Sequence, residues 1–250
     1  MSAAFLWAFL GQSSLVLGAA IALRFRLSDR TVGLIMGFGG GVLISAVAYE
    51  LVEGAVDTSA GSGGVTIGLL CGSAVYFVGD VALARFFGDE ALIDGERRDE
   101  APGSERGSTG LAIAMGATLD GIPESMVLGL TLVGGGGVGI AVLVAIFISN
   151  LPEGIAATAE LRAAGWPARN IVALWSAITL LCATSAAIGY AVFADAAPRD
   201  IAFVDAFAGG AILTMLASTM MPQAFKNGGR LVGPLTTLGF IVAFGLRGFD

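Results

Sequence analysis

The sequence predicts an all-α membrane protein of eight transmembrane helices, and three observations carry that prediction. Of the 250 residues, 56% are hydrophobic and only 13% are charged, with a mean hydropathy of +0.84. A soluble domain carries about 25% charged residues. The apolar residues gather in runs near the ~20 needed to cross a bilayer. The chain also carries 38 glycines, which suit a bilayer because small residues let helix backbones approach closely.

Taken in order, the runs are 3–23, 31–54, 63–87, 109–133, 138–161, 168–193, 201–223 and 230–248. Each is read as a helix, since an open strand would leave backbone polar groups unsatisfied in lipid. The N-terminus, MSAAFLWAFLG, has no basic flank, so it reads as the first span and not as a cleavable leader. Cys71 and Cys182 both fall inside apolar runs and read as small hydrophobic fillers. Basic residues set the orientation. Eleven of the thirteen lie on the odd-numbered loops or their helix ends, leaving only Arg199 and Arg247 on the other side. Odd loops are therefore expected in the cytoplasm and both termini outside. The chain reads as one transmembrane domain, 1–250, in a cell (inner or plasma) membrane. Its one long loop, 88–108, is mixed-charge but mainly acidic, with Gly, Pro and Ser, and is expected to be disordered. Much of the net charge of −7 comes from that loop, so the charge does not indicate a soluble partner, and nothing points to nucleic acid.

Two internal repeats appear. Residues 37–55 align with 206–224 at a constant offset of 169, placing Phe38 on Phe207, Gly41 on Gly210 and Ala48 on Ala217. DGIPES (120–125) aligns with SNLPEG (149–154). Both pairs fall on spans of opposite direction, the pattern of inverted repeats in secondary transporters, with spans 1–3 set against spans 6–8 and a site at the midplane.

The polar residues of those hexapeptides sit at the deepest level of their spans. A charged side chain there costs roughly 2.5–3.5 kcal/mol on insertion scales. Asp120, Glu124 and Glu153 together would thus cost on the order of 10 kcal/mol unpaired, and neither span has Lys or Arg in its core. A bound cation is the simplest neutraliser. A structural cluster of protonated carboxyls is the alternative. Asp120 and Glu124 share one helix face at i, i+4, as do Ser149 and Glu153, and Asn150 lies three residues from Glu153. Pro123 and Pro152 are expected to bend their helices and free carbonyl oxygens.

These paired proline motifs on spans four and five resemble the ZIP (Zrt-, Irt-like) family of divalent-metal transporters, here in a histidine-free variant. In that family the fourth span typically reads His-Asn-x-Pro-Glu-Gly, where this chain has Asp120, Gly121, Ile122, Pro123, Glu124 and Ser125. The resemblance implies Asp120 and Glu124 as metal ligands, Glu153 as a bridging ligand, and Asn150 and Ser149 as weaker ones. It further implies a 3+2+3 helix arrangement and a homodimer. With no histidine in the chain, the site is rich in oxygen and harder than a usual zinc site, suited to Mn²⁺ or Fe²⁺ as well as Zn²⁺.

Glu50 and Glu53, near the outward end of span two, suit either a first stop for incoming cations or a pair reaching water at the interface. Asp80 in span three is either a polar partner in the bundle or part of an exit path. The expected function is inward movement of divalent cations by alternating access, with uptake dependent on pH. A ZIP-like membrane protein that binds metal without transporting it is the alternative. Nothing resembles an HExxH motif or a nucleophile–base pair, so no enzymatic activity is expected.

Overall fold

The computed structural model describes residues 1–59, 62–87, 105–133 and 137–246. Every regular element among them is helical. Seven helices are long and apolar enough to cross a membrane, from 21 to 49 residues. At 1.5 Å per residue even the shortest spans the ~30 Å hydrocarbon layer.

In chain order the elements are α1 (Ser2–Arg24), α2 (Asp29–Ala46), a π-helical turn (Val47–Glu53), α3 (Gly54–Ser59), α4 (Ser62–Phe87), α5 (Glu105–Leu130), α6 (Ile140–Ala163) and α7 (Ala168–Phe193). There follow α8 (Pro198–Met215), a second π-helical turn (Leu216–Met220), α9 (Met221–Gly228), a 3₁₀ turn (Gly229–Leu231) and α10 (Val232–Leu246). The acidic loop 88–108 lies outside the described residues over 88–104, and its last four residues already belong to α5.

Local chemistry explains where helices begin and end. The hydroxyl of Ser28 accepts from the Thr31 N–H at 3.2 Å, capping α2, whose first turn carries Asp29. Pro198 opens α8, where its missing N–H would have no helical partner anyway. α6 stops in a paired turn in which Trp166 N–H reaches Leu161 O and Gly165 N–H reaches Arg162 O. Gly165 takes φ 80° there, a conformation that favours glycine.

Two packing groups result. α1, α5, α6 and α7 pack on one another, whereas α2 packs on α9 and α10, and α4 on α8. The groups meet where α2 contacts α6 and α5 contacts α8. In the first group Trp175 is fully buried and its indole N–H donates to Thr158 Oγ1 at 2.8 Å. Arg162 donates to the carbonyl of Ala22 at 3.1 Å, covering an unpaired group at the end of α1.

The second group is built on glycine crossings too tight for a side chain. A Cβ on Gly41 would overlap the Thr236 carbonyl, and one on Gly239 the Phe38 carbonyl. Likewise Gly210 abuts the Leu69 carbonyl and Gly72 the Phe207 carbonyl. Register gives direction. Along α2, Gly33, Gly37 and Gly41 meet Gly228, Val232 and Thr236 in turn, so α2 and α10 run parallel. Gly33 also meets Ala224 and Gly40 meets Met221, so α9 runs against α2. The 49-residue apolar stretch Pro198–Leu246 therefore doubles back, and it does so at Gly229, where φ is 65°.

Candidate metal centre

All five residues expected at the midplane lie on α5 and α6. Glu124 is 1% exposed, Ser149 2% and Asn150 3%, while Asp120 and Glu153 are half-buried. Asp120 and Glu124 lie one turn apart on α5, and Glu153 lies on α6, which α5 contacts. Pro123 and Pro152 both lie inside continuous helices. The departures from α-helical bonding fall instead on the π-helical turns, at Val47–Glu53 and Leu216–Met220.

The polar partners come from helices that the sequence did not single out. Gln12 of α1 is fully buried. Its Nε2 donates to Ser125 Oγ at 3.1 Å and to the Gly121 carbonyl at 3.4 Å. Its Oε1 accepts from Asn150 Nδ2 at 3.0 Å, and its backbone carbonyl accepts from Thr179 Oγ1 at 3.2 Å. Tyr76 of α4 donates to Asp120 Oδ1 at 2.7 Å. Ser149 turns its hydroxyl back to the Ile146 carbonyl at 3.0 Å, which engages its proton and leaves its lone pairs available. A Cβ on Gly121 would stand 2.7 Å from Cys182 Sγ and 3.5 Å from Gln12 Oε1, so a larger residue there would have to displace the Cys182 thiol.

Glu124 is the unresolved charge. The amides of Asn150 and Gln12 lie within its reach, yet its Oε2 is buried with no hydrogen-bond partner. Such an oxygen is rare in a native protein and calls for an explanation such as an ion. On one side Glu124 borders a small apolar pocket of about 10 Å³ lined by residues including Val47, Leu51, Val127 and Val142. Asp120 borders a different, more polar cavity of about 60 Å³, shared with Tyr76, Asp80, Ser218 and Thr219. Among the described residues no three Asp, Glu, Cys or His side chains converge tightly enough to enclose an ion. An ion held here would draw on amide and hydroxyl oxygens as well as carboxylates, a donor set that suits hard cations.

Glu50 and Glu53 lie on the first π-helical turn. Their neighbours Val47 and Leu51 face the apolar pocket beside Glu124. Gln12 and Tyr76 are the residues that sequence reasoning missed. A buried amide in the middle of span one was the available signal.

No protein-family model matches the chain. The chain is 28% identical over 214 residues to an Arabidopsis thaliana protein named as a putative zinc transporter. The match takes in 84% of this chain and 33% of that protein, so the chain spans about a third of that relative's length. Fold and site define a helical protein with seven helices long and apolar enough to cross a membrane and with carboxylates, one of them buried, on two contacting helices. The likeness to the plant protein is consistent with the ZIP resemblance carried by the two proline hexapeptides.

Proposed function

We propose that this chain is a ZIP-type transporter that moves a divalent cation, Zn²⁺, Mn²⁺ or Fe²⁺, toward the cytoplasm. The observation that carries the reading is the partnerless Glu124 Oε2, buried between two helices whose cores hold no Lys or Arg. A cation passing that oxygen offsets a charge for which the described residues show no Lys or Arg partner. Asp120, Glu124 and Glu153 supply the charge, while Asn150 and Ser149 supply neutral oxygen. The likeness to a zinc transporter supports a metal as cargo.

The route follows from eight spans with both termini outside. α2 then runs outward, so Val47 and Leu51 form an apolar seal on the outer side of Glu124. α4 runs inward, so the polar cavity from Asp120 past Asp80 to Leu83 opens the cytoplasmic side. On this reading the chain is closed to the outside. Alternating access is a movement of the group that carries the site, α1 with α5–α7, against the group of α2, α4 and α8–α10. Two symmetries support an inverted-repeat design. The glycine crossings are reciprocal, since Phe38 and Gly41 in one correspond at offset 169 to Phe207 and Gly210 in the other. The π-helical turns also begin 169 apart, at Val47 and Leu216. The ZIP resemblance adds a homodimer in the cell membrane and a 3+2+3 arrangement.

The test is uptake of Zn²⁺ and Mn²⁺ into proteoliposomes. Asp120→Ala and Glu153→Ala are expected to abolish saturable uptake, and acidification is expected to lower it, because ligating carboxylates must shed their protons. Uptake unchanged in both variants would remove the site. A second reading, a ZIP-like protein that binds metal without moving it, draws on the absence of three converged ligands among the described residues. Saturable flux through the unaltered protein would dismiss it.

A further inference from the structure

Hydrogen bonds that tie one helix to another mark out the two packing groups. Those of Gln12, Arg162, Trp175 and Thr179 stay within the group of α1 and α5–α7. Inside the other group, Thr214 Oγ1 of α8 donates to Ser73 Oγ of α4 at 2.8 Å, and Thr236 Oγ1 of α10 donates to the Gly37 carbonyl of α2 at 3.0 Å. The bond from Tyr76 to Asp120 Oδ1 differs, because it runs from α4 to α5 and so crosses from one group to the other. Tyr76 is 4% exposed. Its helix is fixed to α8 by the Gly72 crossing at the Phe207 carbonyl and by the Ser73 bond three residues away. A movement of one group against the other therefore parts Tyr76 from Asp120.

The lone pairs of Asp120 Oδ1 that receive the hydroxyl are ones a cation would need. Removing the cation frees them for Tyr76, and filling the site takes them back. Both residues line the polar cavity of about 60 Å³, together with Asp80 and Thr219, and that cavity has room for water. A cation leaving Asp120 on this side is replaced by the hydroxyl and rehydrated in one place.

We infer that Tyr76 is a release residue whose hydroxyl takes Asp120 from the cation only while the chain is closed to the outside, lowering the affinity of that state and favouring discharge into the polar cavity. This rests on the reading of Asp120 as a cation ligand and on the two-group movement proposed above. The same bond holds the empty chain in its outside-closed form.

The test pairs Mn²⁺ affinity with exposure of the apolar seal, both on the full chain in nanodiscs. Leu51 lines that seal and is 4% exposed, so Leu51→Cys, made with Cys71→Ser and Cys182→Ala, reports its opening to a charged thiol reagent. Tyr76→Phe is expected to bind Mn²⁺ about fivefold more tightly and, with metal removed, to let Leu51→Cys react about fivefold faster. Tighter binding with unchanged labelling means that Tyr76 stays with Asp120 in both states, and overturns the inference. Unchanged or weaker binding overturns it as well. A merely structural role would lower the unfolding midpoint and leave the dissociation constant of the folded fraction where it was. If Leu51→Cys does not fold, Val47→Cys on the same pocket takes its place. No saturable Mn²⁺ binding by the unaltered protein would remove the site reading itself, and this inference with it.

Discussion

At the scale of single residues, Asp120 is contested. Its Oδ1 accepts the Tyr76 hydroxyl at 2.7 Å, and a cation that wants the same lone pairs must displace that bond. Hydrogen bonds between membrane helices are worth about 1 kcal/mol. Tyr76→Phe is therefore expected to tighten Mn²⁺ binding about fivefold, read from the half-saturation of uptake, and weaker binding would show that the hydroxyl is a ligand and not a competitor. The acidic members of the site were legible because a carboxylate inside an apolar run has few innocent explanations. Gln12 was not, since a single amide in GQSS is tolerable in a span. Its partners on α5 and α7 lie 109 to 167 positions away. No local pattern connects such residues, and only the packing of α1 against α5, α6 and α7 does.

At the scale of elements, the glycine crossings decide how near helices can lie. Gly41→Ala and Gly210→Ala would each set a methyl into a backbone carbonyl of the facing helix, forcing the pair apart at a cost of about 1–3 kcal/mol. Gly54 faces open space, so Gly54→Ala should leave stability unchanged or raise it by up to about 1 kcal/mol. Unfolding midpoints of the three variants check this, and equal midpoints would mean that the crossings are looser than described. The long apolar helices were readable from hydropathy because lipid demands length and apolarity. The π-helical turns were not, because they differ from α-helix in bonding pattern and not in composition. Each proline lacks one N–H, and α5 and α6 both continue past it.

At the scale of the whole molecule, the direction of each helix is the quantity on which the proposed route depends. With the native cysteines replaced by Cys71→Ser and Cys182→Ala, Asp57→Cys should react with a membrane-impermeant thiol reagent on intact cells. Arg26→Cys should react only after permeabilisation. Both positions are exposed. The reverse result would turn the route around. The repeat at offset 169 was visible in the sequence, and it located the stretches that carry the crossings and the π-helical turns. The partition into two packing groups was not visible, because hydropathy says where a helix is and nothing about which neighbour it chooses.

The reversal at Gly229 also bears on how the chain enters the membrane. A machinery that senses only apolarity would meet 49 residues from Pro198 to Leu246, about twice what one crossing uses. What divides them is the short segment of Lys226, Asn227, Gly228, Gly229 and Arg230. Its two cations favour the cytoplasmic face, and its glycine lets the backbone turn. If the two halves of this stretch each cross the membrane, as the proposed eight-span route requires, they are best inserted together, as a hairpin whose tip never leaves the side on which it was made.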